Sequence, residues 1–175
     1  MTSKISAVII TGCTSGAAHS VLFRPAVDFV IENIAEAGVT NALLTDTIEG
    51  IGAFGKISVT NGNTDVAEFV EQQNGDILIV CGDMPLLEPE TIKRARMLHI
   101  TCKNDITAIK SERQKACGLW CKKEIFLDLY GKGLPLRPDV YEQTPVPRSA
   151  CCFPSHENEL YRANDKLSLY KINIS

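Results

Sequence analysis

Residues 76–87 read Asp-Ile-Leu-Ile-Val-Cys-Gly-Asp-Met-Pro-Leu-Leu. The unbroken apolar run from Ile77 to Val80 reads as a strand; it stops at Gly82, and a carboxylate, Asp83, follows at once. Pro85 prevents a central strand from continuing. In an open parallel sheet, ligands bind just beyond the carboxyl ends of the strands. Asp83 is therefore expected at the mouth of a binding crevice, with oxygens suited to a hard cation. The competing reading is a solvated turn residue, because Gly-Asp is ordinary turn chemistry.

The rest of the chain supplies partners for that strand. Ile5 to Thr11 is a short β-branched run bounded by Gly12, and reads as a buried first strand. A small-residue loop runs from Gly12 to Ser20, and Pro25 is placed at the first position of a helix. Val27, Val30, Ile31 and Ile34 fall at helical spacing before Gly38 ends it. Val39 to Leu44 and Lys56 to Val59 read as strands, and Asn63 or Thr64 as the cap of a helix carrying Val66, Phe69 and Val70. Pro89 opens a helix with Ile92, Ala95 and His99 inward, although His99 also reads as a helix-surface residue. Asp105 to Ile109 and Gly118 to Cys121 are strands, and Lys122 to Leu129 a short helix. From Gly131 to Pro154 prolines break every period, so this stretch reads as an irregular excursion. Asp165 to Tyr170 reads as a closing helix or strand. Strands alternating with helices predict an α/β class with a mostly parallel sheet flanked by helices.

The 175 residues fit a single domain spanning 1–175. A net charge of -3 gives nucleic acid no reason to bind. No apolar run approaches the roughly 20 residues that span a bilayer, so no membrane partner is expected. The N-terminus shows no secretion signal, and the seven cysteines read as free thiols, so the expected location is cytoplasmic. Cys117, Cys121, Cys151, Cys152 and His156 offer zinc donors, but adjacent Cys151 and Cys152 would point apart on a strand.

The loop Thr11-Gly12-Cys13-Thr14-Ser15-Gly16 lies between a strand and a helix. Its glycines permit close backbone approach, and its amides and hydroxyls could cradle phosphate; a plain connecting turn is the alternative. The same residues resemble the Thr-Gly-x-x-x-Gly loop of short-chain dehydrogenases, with Asp46 as a possible ribose contact, but no Tyr-x-x-x-Lys accompanies them.

Gly82-Asp83-Met84-Pro85-Leu86 resembles the Gly-Asp-x-Pro-Leu motif of the sugar-nucleotide pyrophosphorylases, the nearest match being the uridylyltransferase domain of UDP-N-acetylglucosamine synthesis. Further fragments agree in order: Ile5 to Ile10 with the first strand, Arg24 to Ile31 with a Lys-Pro-Met-Leu helix start, and Ala163 to Leu169 with Val-Asn-Asp-Arg. The resemblance implies a Rossmann-like nucleotide-diphospho-sugar transferase fold. It implies transfer of a nucleotidyl group, UMP from UTP, to a sugar 1-phosphate with pyrophosphate release. The substrates are then a nucleoside triphosphate and a sugar phosphate. Asp83 and Asn164 would hold Mg2+, Asp83 being the catalytic residue, and Thr11 to Gly16, Gly62, Asn63 and Gly82 would bind the nucleotide.

The chain departs from that pattern where charge matters. Residues 13–23 contain no Arg or Lys, although the family places both in this loop to polarise the triphosphate. The Asn of the family's Asn-Thr-Gly-Ile-Tyr segment is Ala116 here, and the base-reading Gly-Thr-Gly-His is only echoed by Gly62 to Asp65. A degenerate homologue that binds a nucleotide or a partner without turnover is the second reading, and a dinucleotide reductase the third.

Overall fold

The computed structural model describes residues 5–12, 15–112, 114–163 and 172. Strand β1 (Ser6–Ile10) is buried at every position, as a strand covered on both faces must be. A single 3-10 turn at Ser15–Ala18 leads into a small hairpin, β2 (Ser20–Val21) and β3 (Arg24–Pro25). Leu22 and Phe23 form its tip, both with positive φ. Helix α1 (Ala26–Glu36) follows, with Pro25 as its N-cap rather than its first residue, and Gly38 at φ 96° ends it. Then come β4 (Asn41–Leu44), β5 (Ser58–Asn61), α2 (Val66–Glu71), β6 (Ile77–Cys81) and α3 (Pro89–Thr101). Strands β7 (Ile106–Ile109) and β8 (Gly118–Cys121), helices α4 (Lys123–Gly131) and α5 (Pro138–Glu142), and β9 (Ser149–Cys152) complete the sheet and its cover.

The seven strands are ordered β5-β4-β1-β6-β8-β7-β9. Only β8 runs against the others. The pleat divides each strand between two apolar layers. Ala7, Ile9, Leu44, Leu78 and Val80 face α1 and α3; Val8, Ile10, Leu43, Ile77 and Ile79 face α2, α4 and α5. Each fully buried Val, Leu or Ile contributes about 1.5–3 kcal/mol to holding these layers together. Among the described residues no helix is long and apolar enough to cross a membrane.

Four expectations need correction. The third strand lies at Ser58–Asn61, two residues later than its apolar start suggests. Helix α2 is capped by Asp65, whose carboxylate accepts the Glu68 N–H, because Gly62 and Asn63 are already spent on a turn with positive φ. The proline-rich stretch holds α5 and the edge strand β9, which pairs in parallel with β7. Of the two readings of His99 the inward one holds and the helix-surface one does not: the ring is buried against Thr107 and Asp76. The expected closing element at Asp165 to Tyr170 lies outside the described residues.

Candidate functional site

From β1 the chain adds β4 and β5 on one side, whereas β6 adds on the other. The gap between the carboxyl ends of β1 and β6 is thus a topological switch point, the usual ligand crevice of such a sheet. Two glycines and one acid meet there. Gly82 donates its N–H to the Ile10 carbonyl (2.9 Å), tying the two strand ends together. A Cβ at Gly82 would lie 3.2 Å from Ile9 Cγ2 and 3.3 Å from Ala17 Cβ, so the residue is there for close packing.

Asp83 follows with its side chain 1% exposed. A carboxylate that deep is costly without a charged partner, and Arg162 supplies one. Its Nε donates to Oδ2 at 2.9 Å and its Nη2 to Oδ1 at 3.0 Å, a two-pronged pairing. Burial works against the guanidinium charge, but the hydrogen bonds and field of Asp83 outweigh it and raise the proton affinity of Arg162. The neighbouring Ala163 N–H donates to the Asp83 carbonyl (2.7 Å). His19 Nδ1 donates to the Ala163 carbonyl (2.6 Å), the only sense possible with a carbonyl partner. The first loop therefore contacts the segment at 162–163, as does Gly16: a Cβ on it would lie 2.7 Å from Ala163 O and 2.8 Å from Asp83 Cβ.

Further along the same edge, Thr11 is consumed by protein contacts. Its N–H donates to Thr45 Oγ1 (3.0 Å), and its hydroxyl donates to Asp46 Oδ2 (3.0 Å) and accepts the Asp46 N–H (2.8 Å). Gly12 sits over this knot, where a Cβ would meet Asp46 Oδ2 at 2.5 Å. Gly62 and Asn63 turn at the end of β5 with φ of 65° and 58°. They lie three strands from β6, about 14 Å at the usual 4.7–4.9 Å spacing.

On the β8 side of Asp83 a cavity of about 410 Å³ opens, lined by Cys81, Lys115, Ala116, Arg137, Asp139 and Arg162 among others. Arg137 pairs with Asp139 through two hydrogen bonds (3.0 and 2.8 Å), and Lys115 stands 3.6 Å from the same carboxylate. Ala116, which replaces the amide of the resembled motif, lines this cavity.

The sheet thus brings Gly16, Gly82 and Asp83 together at one crevice, with Thr11 and Gly12 on the Asp46 side of the β1 end and Gly62 and Asn63 farther along the edge. Cys13, Thr14 and Asn164, and the Ser15 side chain, lie outside the described residues. Arg24 does not reach the crevice. It pairs with Glu32 (2.7 Å) and Asp28 (3.4 Å) on α1, contacts that together raise its proton affinity. Sequence reasoning missed Arg162, Lys115 and Arg137; the only signal for Arg162 was its place beside the Ala163-Asn-Asp segment. No group of three His, Cys, Asp or Glu able to hold a metal exists among the described residues. Burial pushes the Cys117 and Cys121 thiols up, away from the thiolate that zinc requires.

No family profile and no curated protein matches the chain in sequence. Solved structures do match in shape. The 4-diphosphocytidyl-2C-methyl-D-erythritol synthase of Anaerococcus prevotii superposes with a TM-score of 0.68 at 12% identity, over 98% of this chain and 97% of that one. A nucleotidyl transferase from Methanothermobacter gives 0.71 at 14% identity, over 98% and 96%. A Mycobacterium tuberculosis protein, solved as a manganese complex, gives 0.67 at 15% identity over the full length of both chains. Identities this low speak for architecture alone, and on that ground the chain has the Rossmann-like α/β fold of the nucleotide-diphospho-sugar transferases.

Proposed function

We propose that the chain is a nucleotidyltransferase that moves a nucleotidyl group from a nucleoside triphosphate to a phosphorylated acceptor, releasing pyrophosphate. The observation that carries this reading is the buried Asp83 at the switch point, already facing a cation, with Gly16 packed against it. The chemistry of the donor fits a divalent ion: a buried carboxylate needs a positive partner, and the Arg162 guanidinium stands in for one. Asp83 would hold Mg2+ together with Asn164. When bound, such an ion neutralises charge on the phosphates and on the departing pyrophosphate. Backbone groups of Gly12 to Gly16 would cradle phosphate, and Gly62 and Asn63 would border the base at the far end of the same edge. UTP and a sugar 1-phosphate are the pair the sequence resemblance favours.

One observation favours the second reading, a homologue that binds without turnover. The loop carries no Arg or Lys at residues 13–23, and Arg24 is held on α1 by Asp28 and Glu32. Each missing donor of this kind costs about 2.7–4 kcal/mol of transition-state stabilisation. Pyrophosphate release from each common triphosphate, paired with hexose and aminosugar 1-phosphates, separates the two. Release that requires Mg2+ and vanishes in Asp83→Asn supports the transferase. No release with any pair, alongside retained triphosphate binding, supports the binding protein.

A further inference from the structure

Arg162 occupies a position with two outlets. On one side its guanidinium holds both oxygens of Asp83. On the other it lines the cavity of about 410 Å³, and its side chain is 36% exposed, so there is space for it to turn. Among the described residues the remaining charged lining residues are Lys115, Arg137 and Asp139. Asp139 neutralises one of the two cations, which leaves one positive charge in excess. A released Arg162 would add a second. A phosphate monoester carries about −1.5 to −2 near neutral pH, which matches that excess. The volume lies within the roughly 300–1,000 Å³ of small-molecule sites and so holds a small phosphorylated molecule rather than water alone.

We propose that Arg162 is an exchangeable counter-ion: it neutralises Asp83 until a divalent cation takes that carboxylate, and its guanidinium then joins Lys115 and Arg137 as a phosphate subsite in the neighbouring cavity. This rests on the reading of Asp83 as a cation ligand. Two cations cannot share the same two oxygens without strong repulsion in a partly buried place. Cation and phosphate binding are therefore coupled, each strengthening the other by the same factor. The order of events follows: the acceptor phosphate finds its full set of donors only after the metal has bound.

The test needs no turnover. Titrate the full-length chain calorimetrically with MnCl2 alone, then with inorganic phosphate in the absence and presence of saturating Mn2+. In the unaltered protein Mn2+ should strengthen phosphate binding by about tenfold, within the usual range of coupling. Arg162→Gln should bind Mn2+ alone about tenfold more tightly, having no guanidinium to displace, and should lose the coupling. Arg162→Lys keeps the charge without the fork and should fall between the two, which covers the case where Arg162→Gln fails to fold. Lys115→Ala, at a side chain 75% exposed, should weaken phosphate binding and leave the Mn2+ affinity unchanged. Mn2+ affinity in Arg162→Gln equal to or below that of the unaltered protein overturns the exchange. Phosphate binding undiminished in Lys115→Ala, with and without Mn2+, places phosphate outside the cavity and overturns the subsite. Mn2+ binding that survives Asp83→Asn unchanged, or is absent from every variant, removes Asp83 as a cation ligand and with it the observation on which the transferase reading stands.

Discussion

Gly16 is the position where the first loop and the Asp83 strand end come closest, and Gly16→Ala tests whether that approach is part of the site. The new Cβ would lie 2.7 Å from the Ala163 carbonyl oxygen, 2.8 Å from Asp83 Cβ and 3.0 Å from Ala163 C. Ordinary carbon contacts lie near 3.5–4.0 Å, so the neighbours must retreat by about 0.7–1 Å. They cannot do so independently, because the Ala163 N–H is bonded to the Asp83 carbonyl at 2.7 Å. Overpacking of this kind costs about 1–3 kcal/mol. At roughly 2–4 °C per kcal/mol for a chain of this size, the melting temperature should fall by about 2–12 °C. Gly131→Ala is the control: it ends helix α4, has no positive φ, and a Cβ there meets nothing within 4 Å. That change should leave stability equal or raise it by about 0.4–1 kcal/mol. Differential scanning fluorimetry of both variants, with triphosphate affinity measured alongside, checks the argument. A Gly16→Ala protein that melts with the Gly131→Ala control and binds triphosphate as before would show that the loop does not press on Asp83, and the crevice described above would be wrongly drawn.

Three other outcomes are expected. Lys122 holds the Asp105 carboxyl below its usual range, helped by the Arg148 N–H and opposed by burial; its stabilising effect is therefore complete above about pH 4 and lost as pH falls through the lowered value, so Asp105→Asn should lower stability at neutral pH and flatten the acid limb of a urea-midpoint-versus-pH curve. Thiol labelling of native protein followed by peptide mass spectrometry should modify the exposed Cys102 and Cys151 well before the buried Cys81, Cys117, Cys121 and Cys152; fast labelling of Cys117 would contradict its burial and raised thiol. The Tyr141 hydroxyl is buried without a hydrogen-bond partner among the described residues, so Tyr141→Phe should unfold at an equal or higher denaturant concentration, by up to about 1 kcal/mol, and a clear loss of stability would refute that account of the hydroxyl.

What could be read in the sequence was what local chemistry decides. The run from Ile77 to Val80 is too apolar for a surface strand, and its stop at Gly82-Asp83 marks a strand end, so both the strand and the place of Asp83 were legible. Helix α1 was legible from period alone. Strand β9 was not: Ser149 to Cys152 has neither alternation nor an apolar run, and its pairing with β7 comes from tertiary context between flanking prolines. The α2 cap was ambiguous because Asn63, Thr64 and Asp65 are all capping residues; the backbone chooses Asp65 by spending Gly62 and Asn63 on a positive-φ turn. Arg162 was invisible for a different reason. Its role depends on an ion pair bridging 79 positions of sequence, and no local period points to it.

The charge arrangement ties these points together. A transferase of this kind must neutralise a triphosphate and a leaving pyrophosphate, and the loop after β1 brings no cation among residues 13–23 to do so. The hairpin that follows turns Arg24 onto α1, where Glu32 and Asp28 absorb its charge. Among the described residues, positive charge near Asp83 comes instead from the opposite flank, where Arg162, Lys115 and Arg137 line one cavity. Of these, Arg162 alone bonds to Asp83, and it does so through a side chain with room to leave. A site built this way carries its cations on the side of the β8 strand and the 162–163 segment, not on the glycine loop. On the proposed transferase reading the missing loop residues would be a relocation of charge rather than its loss, and the binding-only reading requires that Arg162 stay on Asp83 when a divalent ion is offered.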